Sequence, residues 1–254
     1  AHSFPTRRSS DLSTHGISTI LVFFDDCWNP VSNIGTQPSP KPGIHNSGWI
    51  QDPSVDLRSD TAKLYSWLEK YVKDIMHTFA NDSRVVVWDL YNEPGNSGHL
   101  NESLPLLKNT FNWAREVNPS QPLTVGVWNL ELHELNKYQL EESDIISYHQ
   151  YQDKDNHQVW IKFLKLYERP MMCTEYMARH FNSRFNNILP LLKKEDIDAF
   201  NWGFVAGKSN TIYKWNEPIE EGSEPALWFH DILRKDGSPY DSSEIEIIKS
   251  VNEI

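Results

Sequence analysis

Val85-Val86-Val87-Trp88-Asp89-Leu90-Tyr91-Asn92-Glu93-Pro94 is an apolar, β-branched run that stops on a carboxylate followed at once by proline. A run of this type reads as a strand buried on both faces. Pro94 cannot continue a central strand, because it lacks the N–H that the ladder needs. Glu93 therefore sits at the carboxyl end of a strand with Asn92 beside it, where parallel α/β barrels keep their catalytic groups. Taken alone, the same carboxylate also reads as a solvated residue at the start of a loop.

A second carboxylate stands in the same kind of place. Pro170-Met171-Met172-Cys173-Thr174-Glu175-Tyr176 is again a short apolar segment that leaves a helix-like stretch and ends on Glu. Glycoside hydrolysis requires such a pair, one carboxyl to protonate the leaving oxygen and one to attack the anomeric carbon or activate water.

Outward from these two strand ends, further strand-like runs cover residues 17–24, 122–127, 144–149 and 197–204. Between them Leu64, Trp67, Leu68, Tyr71, Val72, Ile75, Met76 and Phe79 recur at helical spacing. Leu104, Leu107, Phe111 and Ala114 do so again before Asn118-Pro119 ends the helix. Trp67 and Trp113 are expected on the buried helix faces. Strand alternating with helix predicts a parallel sheet.

Asn92-Glu93-Pro94, His149-Gln150-Tyr151 after its strand, Glu175 after Met171-Met172-Cys173-Thr174, and Trp202 in Ala199-Phe200-Asn201-Trp202-Gly203-Phe204 resemble strands four, six, seven and eight of clan A glycoside hydrolases. The likeness is greatest to family 5, the cellulase-like group, from about residue 17 to 215. The resemblance implies that Glu93 is the general acid/base and Glu175 the nucleophile. Asn92 would donate to the sugar 2-hydroxyl, Tyr151 would hold the nucleophile ionised and oriented, His149 would line the sugar subsite, and Trp202 would be its stacking floor. It also implies a periplasmic or secreted bacterial enzyme.

The fold class expected on this basis is α/β, a TIM (β/α)8 barrel that is incomplete, with strands three to eight present and the first two βα units missing. His15-Gly16 reads as a helix end with glycine at the left-handed capping position, the helix itself being absent. Residues 1–12 match no barrel element and resemble translated adapter sequence, so they are expected to be a foreign or disordered leader. Residues 13–254 form the partial barrel domain in this reading. The arginine that the clan brings from its first strand to support the nucleophile has no candidate here.

A chain of 254 residues, 39% hydrophobic and 12% aromatic, can bury one large core. No apolar run approaches the ~20 residues of a membrane span. A formal charge of −11 without a basic stripe argues against nucleic acid, whose affinity rests on phosphate neutralisation, and makes a neutral or basic glycan a more comfortable substrate than a polyuronate. Oligomeric state is not legible. Cys27 and Cys173 close strands on opposite sides of the expected barrel, too far apart for a disulfide, and Cys173, two residues before Glu175, is expected to point into the barrel as core. His133, Glu134 and Glu131, or His149 with Glu175, lack metal-ligand spacing, and neither a metal nor another cofactor is expected.

The longest irregular segment, 25–57, carries His45, Asn46, Trp49 and Gln51, polar and aromatic content suited to a cleft wall. Of Asp25 and Asp26, one is expected to face the barrel mouth and bond a sugar hydroxyl, the other to cap or solvate the loop. Trp28, Trp49, Trp128 and Trp215 follow strand ends or lie in loops on the face of the two glutamates, and each reads either as a sugar platform or as packing under a loop. The expected activity is that of a retaining β-glycosidase acting on a β-linked oligo- or polysaccharide. The alternative is a carbohydrate-binding or inactive barrel fragment.

Overall fold

In the computed structural model the chain is described over residues 11–32, 35–36 and 39–252. Most of the expected leader, residues 1–10, lies outside them, as does Pro38 of the long loop. The described chain divides into two compact units, one from residues up to 31 and 51–145, the other from 32–50 and 146 onward.

The first unit is a three-stranded parallel sheet in the order β1 (Thr19–Asp25), β2 (Val85–Asn92), β3 (Leu123–Thr124). Helix α1 (Thr61–Phe79) joins β1 to β2, and α2 (Leu104–Val117) joins β2 to β3. Helix α3 (His133–Glu142) follows. Asp60 caps α1 by accepting from the Lys63 N–H, and Asn118, at φ 54°, closes α2 in the left-handed region. As central strand, β2 is flanked on both sides, and Trp88, Leu90 and Tyr91 are fully buried. Phe23 stacks on Trp88 with ring centroids 5.5 Å apart.

Three expectations change here. Trp113 is buried as expected, but Trp67 is 56% exposed, with the Lys63 ammonium 4.8 Å from the centre of its ring. At ~100° per residue Trp67 stands about 120° round the helix from buried Phe79, beyond the edge of the apolar face. The expected strand at 122–127 shrinks to two residues, because side chains take the place of the ladder. Ser143 Oγ accepts from the Val125 N–H, and Gln139 Nε2 donates to the Gly126 carbonyl. Contrary to the expected absence of a helix before Gly16, residues 11–13 are helical, with Ile17 N–H donating back to the Leu12 carbonyl around Gly16 at φ 71°.

The second unit is a parallel sheet in the order β4 (Ile146–His149), β5 (Met171–Tyr176), β6 (Asp198–Asn201). Helices α4 (Lys154–Leu164) and α5 (Phe185–Lys194) make the crossovers, and α6 (Ser242–Asn252) closes the unit. Tyr148, Tyr176, Phe185, Ile188 and Leu192 form its core. Arg179 is buried and locks α6 in place. It bonds Glu244 through Nε at 2.9 Å and Nη2 at 2.5 Å, and donates to the Trp228 and Asp231 carbonyls.

Strand β5 carries one residue more than either neighbour at its end. Tyr148 faces Cys173 but His149 faces Glu175, while Cys173 to Tyr176 spans only Ala199 to Asn201 on β6. This bulge breaks the two-residue alternation expected between Cys173 and Glu175 and re-aims the strand end. Cys173 stays in the core, where burial pushes its thiol pKa up. Neither cysteine is in a disulfide. Among the described residues no helix is long and apolar enough to cross a membrane.

Candidate active site

Each unit presents one of the two glutamates immediately beyond or at the end of its central strand. In the first, Glu93 follows β2 at φ 44°, a left-handed conformation that is unfavourable for a residue with a Cβ. The turn beyond it holds that geometry. Gly95, at φ 87°, would place a Cβ 2.7 Å from Leu135 Cδ1 and 3.0 Å from the Leu100 carbonyl, so only glycine fits. Its N–H donates to Asp26 Oδ2 at 2.8 Å. Two donors meet Glu93 Oε2, Asn96 Nδ2 at 2.5 Å and the Cys27 thiol at 3.2 Å. Asn92, the partner of Asp25 across the sheet, donates its amide to Cys27 Sγ at 3.6 Å.

Asp26 corrects the sequence reading. It is fully buried, and its carboxylate accepts from Arg58 Nη2 at 2.7 Å, Tyr91 Oη at 2.6 Å, the Gly95 N–H and Ser103 Oγ. It is thus an internal anchor for the Glu93 turn rather than a ligand for sugar. Asp25 takes the capping role, its Oδ1 accepting from the Cys27 N–H at 2.6 Å while its backbone bridges to Asp52. Trp28 is half-buried at φ 72°, and its carbonyl accepts from the Gln51 amide. Trp128 packs against the core of this unit with its N–H on the Pro94 carbonyl at 3.1 Å, which makes it part of the scaffold behind Glu93. Gln51 is buried and bonds His99 Nε2 at 2.7 Å, so it does not line a cleft as expected.

In the second unit, Glu175 Oε2 accepts from Tyr151 Oη at 2.5 Å and lies 3.5 Å from His149 Nδ1. His149 is buried. The Tyr151 ring is itself fixed between Trp215, 4.8 Å away and perpendicular, and His230 at 5.3 Å. Trp202 follows β6, its N–H on the Tyr176 carbonyl, and meets Trp49 in a T-shaped contact at 5.3 Å. Trp49 is 38% exposed. The next residue, Gly203 at φ 81°, is pressed so closely on Asp231 and His230 that a Cβ there would lie under 3 Å from both.

Two more expected cleft residues are internal. His45 and Asn46 are buried; the His45 Nδ1–H donates to the Tyr213 carbonyl at 2.7 Å and its Nε2 accepts from Trp215 Nε1 at 3.2 Å. Burial lowers its pKa from 6.5 to about 4. Trp215 accordingly packs among His45, Tyr151, Phe181 and Phe229 rather than standing as a bare platform. Sequence reasoning gave no role to Cys27 or Asn96. Asn96 stands three residues past Glu93, the span that a tight turn returns, and that spacing was the available signal.

Comparison with known proteins identifies the family and the fold type. The family model of cellulase (glycosyl hydrolase family 5) matches residues 43–214, more than half of the chain. A search of curated proteins returns no match. Among solved structures, the chain is similar to an endo-β-1,4-xylanase of glycoside hydrolase family 10 from Gloeophyllum trabeum, with 12% identity, a TM-score of 0.54, and coverage of 84% of this chain and 74% of that one. It is also similar to an endo-1,4-β-xylanase from Caldicellulosiruptor owensensis, with 15% identity, a TM-score of 0.53, and coverage of 76% and 69%. The endo-β-1,4-mannanase from Thermotoga petrophila matches at 18% identity and a TM-score of 0.50 over 78% of this chain, which spans about half (52%) of the mannanase. The fold is thus α/β, of the TIM-barrel type found in glycoside hydrolases. With two parallel three-stranded sheets, strand ends that carry the glutamates, and a family match across both units, the chain belongs to the cellulase family, glycosyl hydrolase family 5, and is a glycoside hydrolase.

Proposed function

We propose that this chain is a retaining β-glycosidase with residues 13–254 as its catalytic domain, Glu93 as general acid/base and Glu175 as nucleophile. In the first step Glu175 attacks the anomeric carbon while Glu93 protonates the departing glycosidic oxygen. In the second, Glu93, now a carboxylate, takes a proton from water, which attacks the same carbon and releases Glu175. The observation that carries this reading is the Tyr151 hydroxyl on Glu175 Oε2 at 2.5 Å. A charge-assisted bond of this kind favours the ionised carboxylate and fixes its aim, as a nucleophile requires.

Asn92 then serves the sugar 2-hydroxyl, His149 lines the subsite beside the nucleophile, and Trp202 with Trp49 supplies apolar ring surface for a pyranose face. The similarity to endo-β-1,4-xylanases and an endo-β-1,4-mannanase favours a neutral β-1,4-linked glycan as the substrate class. We place the protein outside the cytoplasm, where such polymers occur.

Incubation with a panel of 2-deoxy-2-fluoro glycosyl fluorides, followed by intact mass spectrometry and peptide mapping, tests the mechanism. The expected result is a covalent adduct on Glu175 that also names the glycone. Turnover of glycosides with inverted stereochemistry, or an adduct on another carboxylate, would overturn it.

A further inference from the structure

The acid/base assignment leaves a geometric question. Glu93 is followed by a tight turn and held at a left-handed φ, yet its side chain must present one oxygen, as an acid to the leaving group and as a carboxylate to the incoming water. The structure supplies a clamp for the other oxygen. Asn96 Nδ2 and the Cys27 thiol both donate to Oε2, at 2.5 and 3.2 Å. The Asn96 amide is oriented without ambiguity, because its Oδ1 accepts from the N–H and the hydroxyl of Ser97, which leaves Nδ2 for Glu93. The thiol is fixed as firmly. Its backbone N–H is tied to Asp25 Oδ1, Asp26 beside it is buried under four donors, and Sγ accepts from Asn92. Cys27 thus bridges the amide of Asn92 to the carboxyl of Glu93.

Resting on the acid/base reading above, we propose that Cys27 and Asn96 are positioning residues for general acid catalysis, which occupy Glu93 Oε2 and so deliver the catalytic proton from Oε1. An amide N–H carries no proton that Glu93 can displace, and a carboxyl proton placed on Oε2 would confront it. The acid form is therefore directed to the opposite oxygen. When Glu93 becomes the base, the same two donors hold its carboxylate for the incoming water. The thiol contributes as a hydrogen-bond donor, not as a nucleophile or redox centre.

The test uses two aryl glycosides of the sugar that labels Glu175. One has a 2,4-dinitrophenyl leaving group that departs without protonation; the other has a phenyl leaving group that needs it. E93A calibrates the pattern, a large loss on the phenyl glycoside and little loss of the glycosylation rate on the dinitrophenyl one. C27A and N96A are expected to follow that pattern, with kcat/KM down about 10- to 100-fold for the phenyl substrate and under about threefold for the activated one. C27S, which keeps a donor at the same position, is expected to recover most of the loss seen in C27A. An equal fall on both substrates in C27A and N96A, with E93A still selective, would overturn this proposal and leave the acid/base reading standing. An E93A variant with no leaving-group selectivity would overturn the acid/base reading itself.

Discussion

Tyr151 is the residue on which Glu175, the proposed nucleophile, depends most directly, since its hydroxyl is the 2.5 Å donor to that carboxylate. The ring is held independently, by Trp215 and His230. Removing the oxygen alone therefore separates orientation from folding. Y151F is expected to lower kcat by about 10- to 100-fold while the melting temperature stays within about 2 °C; steady-state kinetics and a thermal melt on the same preparation check both. At this scale the sequence was informative about chemistry and weak about direction. It singled out Glu93, Glu175, Asn92, His149 and Tyr151 because each lies at or just beyond the end of a readable strand. It could not divide the labour of Asp25 and Asp26, because two adjacent carboxylates at a strand end look alike until the partners are known. The partners of Asp26 come from as far as Arg58, Tyr91 and Ser103, all distant along the chain.

Elements with a strong period were legible and elements defined by exceptions were not. Helices α1 and α2 appear where the 3.6-residue repeat puts them, and β2 ends at the proline boundary. The β5 bulge and the two-residue β3 leave no periodic trace, since one arises from an inserted residue and the other from side chains that replace ladder partners. The loop segment that carries His45 looked like a cleft wall because histidine and asparagine are polar, whereas its hydrogen bonds turn inward. That burial has a consequence with pH. The His45 ring is neutral in the folded state down to about pH 4, against 6.5 for an unperturbed imidazole. The unfolded chain therefore binds a proton first, so the stability from this site is complete above about pH 6.5 and is lost as pH falls toward 4. The loss amounts to about 3 kcal/mol for a group so shifted. His157, lowered to about 4 by its own burial, adds a second loss over the same interval. Melting temperature measured from pH 7 to about 4 is expected to fall, and H45Q, which keeps a donor and an acceptor without titrating, is expected to flatten part of that slope.

The whole molecule carries a formal charge of −11 and an isoelectric point near 5.3. A protein of this net negative charge repels a polyanion at a range set by the Debye length, about 10 Å in 0.1 M salt, and is indifferent to a neutral chain. Hydrolysis of a neutral β-glycan is therefore expected to change by less than about twofold between low and high salt, while any cleavage of a polyuronate would rise as salt is added. Initial rates on both polymers across a sodium chloride series decide it. Family membership was the most legible property at this scale, because it rests on strand-end motifs whose order survives where identity to the three solved structures named above is only 12–18%. The long loop was the least legible, its character being set by contacts that composition does not encode.

The pairing of β1 with β2 has one more implication. A bulge between Thr19 and Ile20 resets the alignment so that Asp25 faces Asn92, the register in which the Gly95 N–H reaches Asp26 and the Cys27 thiol reaches Glu93. A slip by one residue would exchange every inward side chain for its neighbour. Glu93, the proposed acid, would then lose the two donors on its Oε2 and its buried anchor together, although the strands could still pair along their length. On the proposed mechanism, turnover would thus act as a proofreading signal for strand alignment, silent in any chain whose β1 has docked out of step.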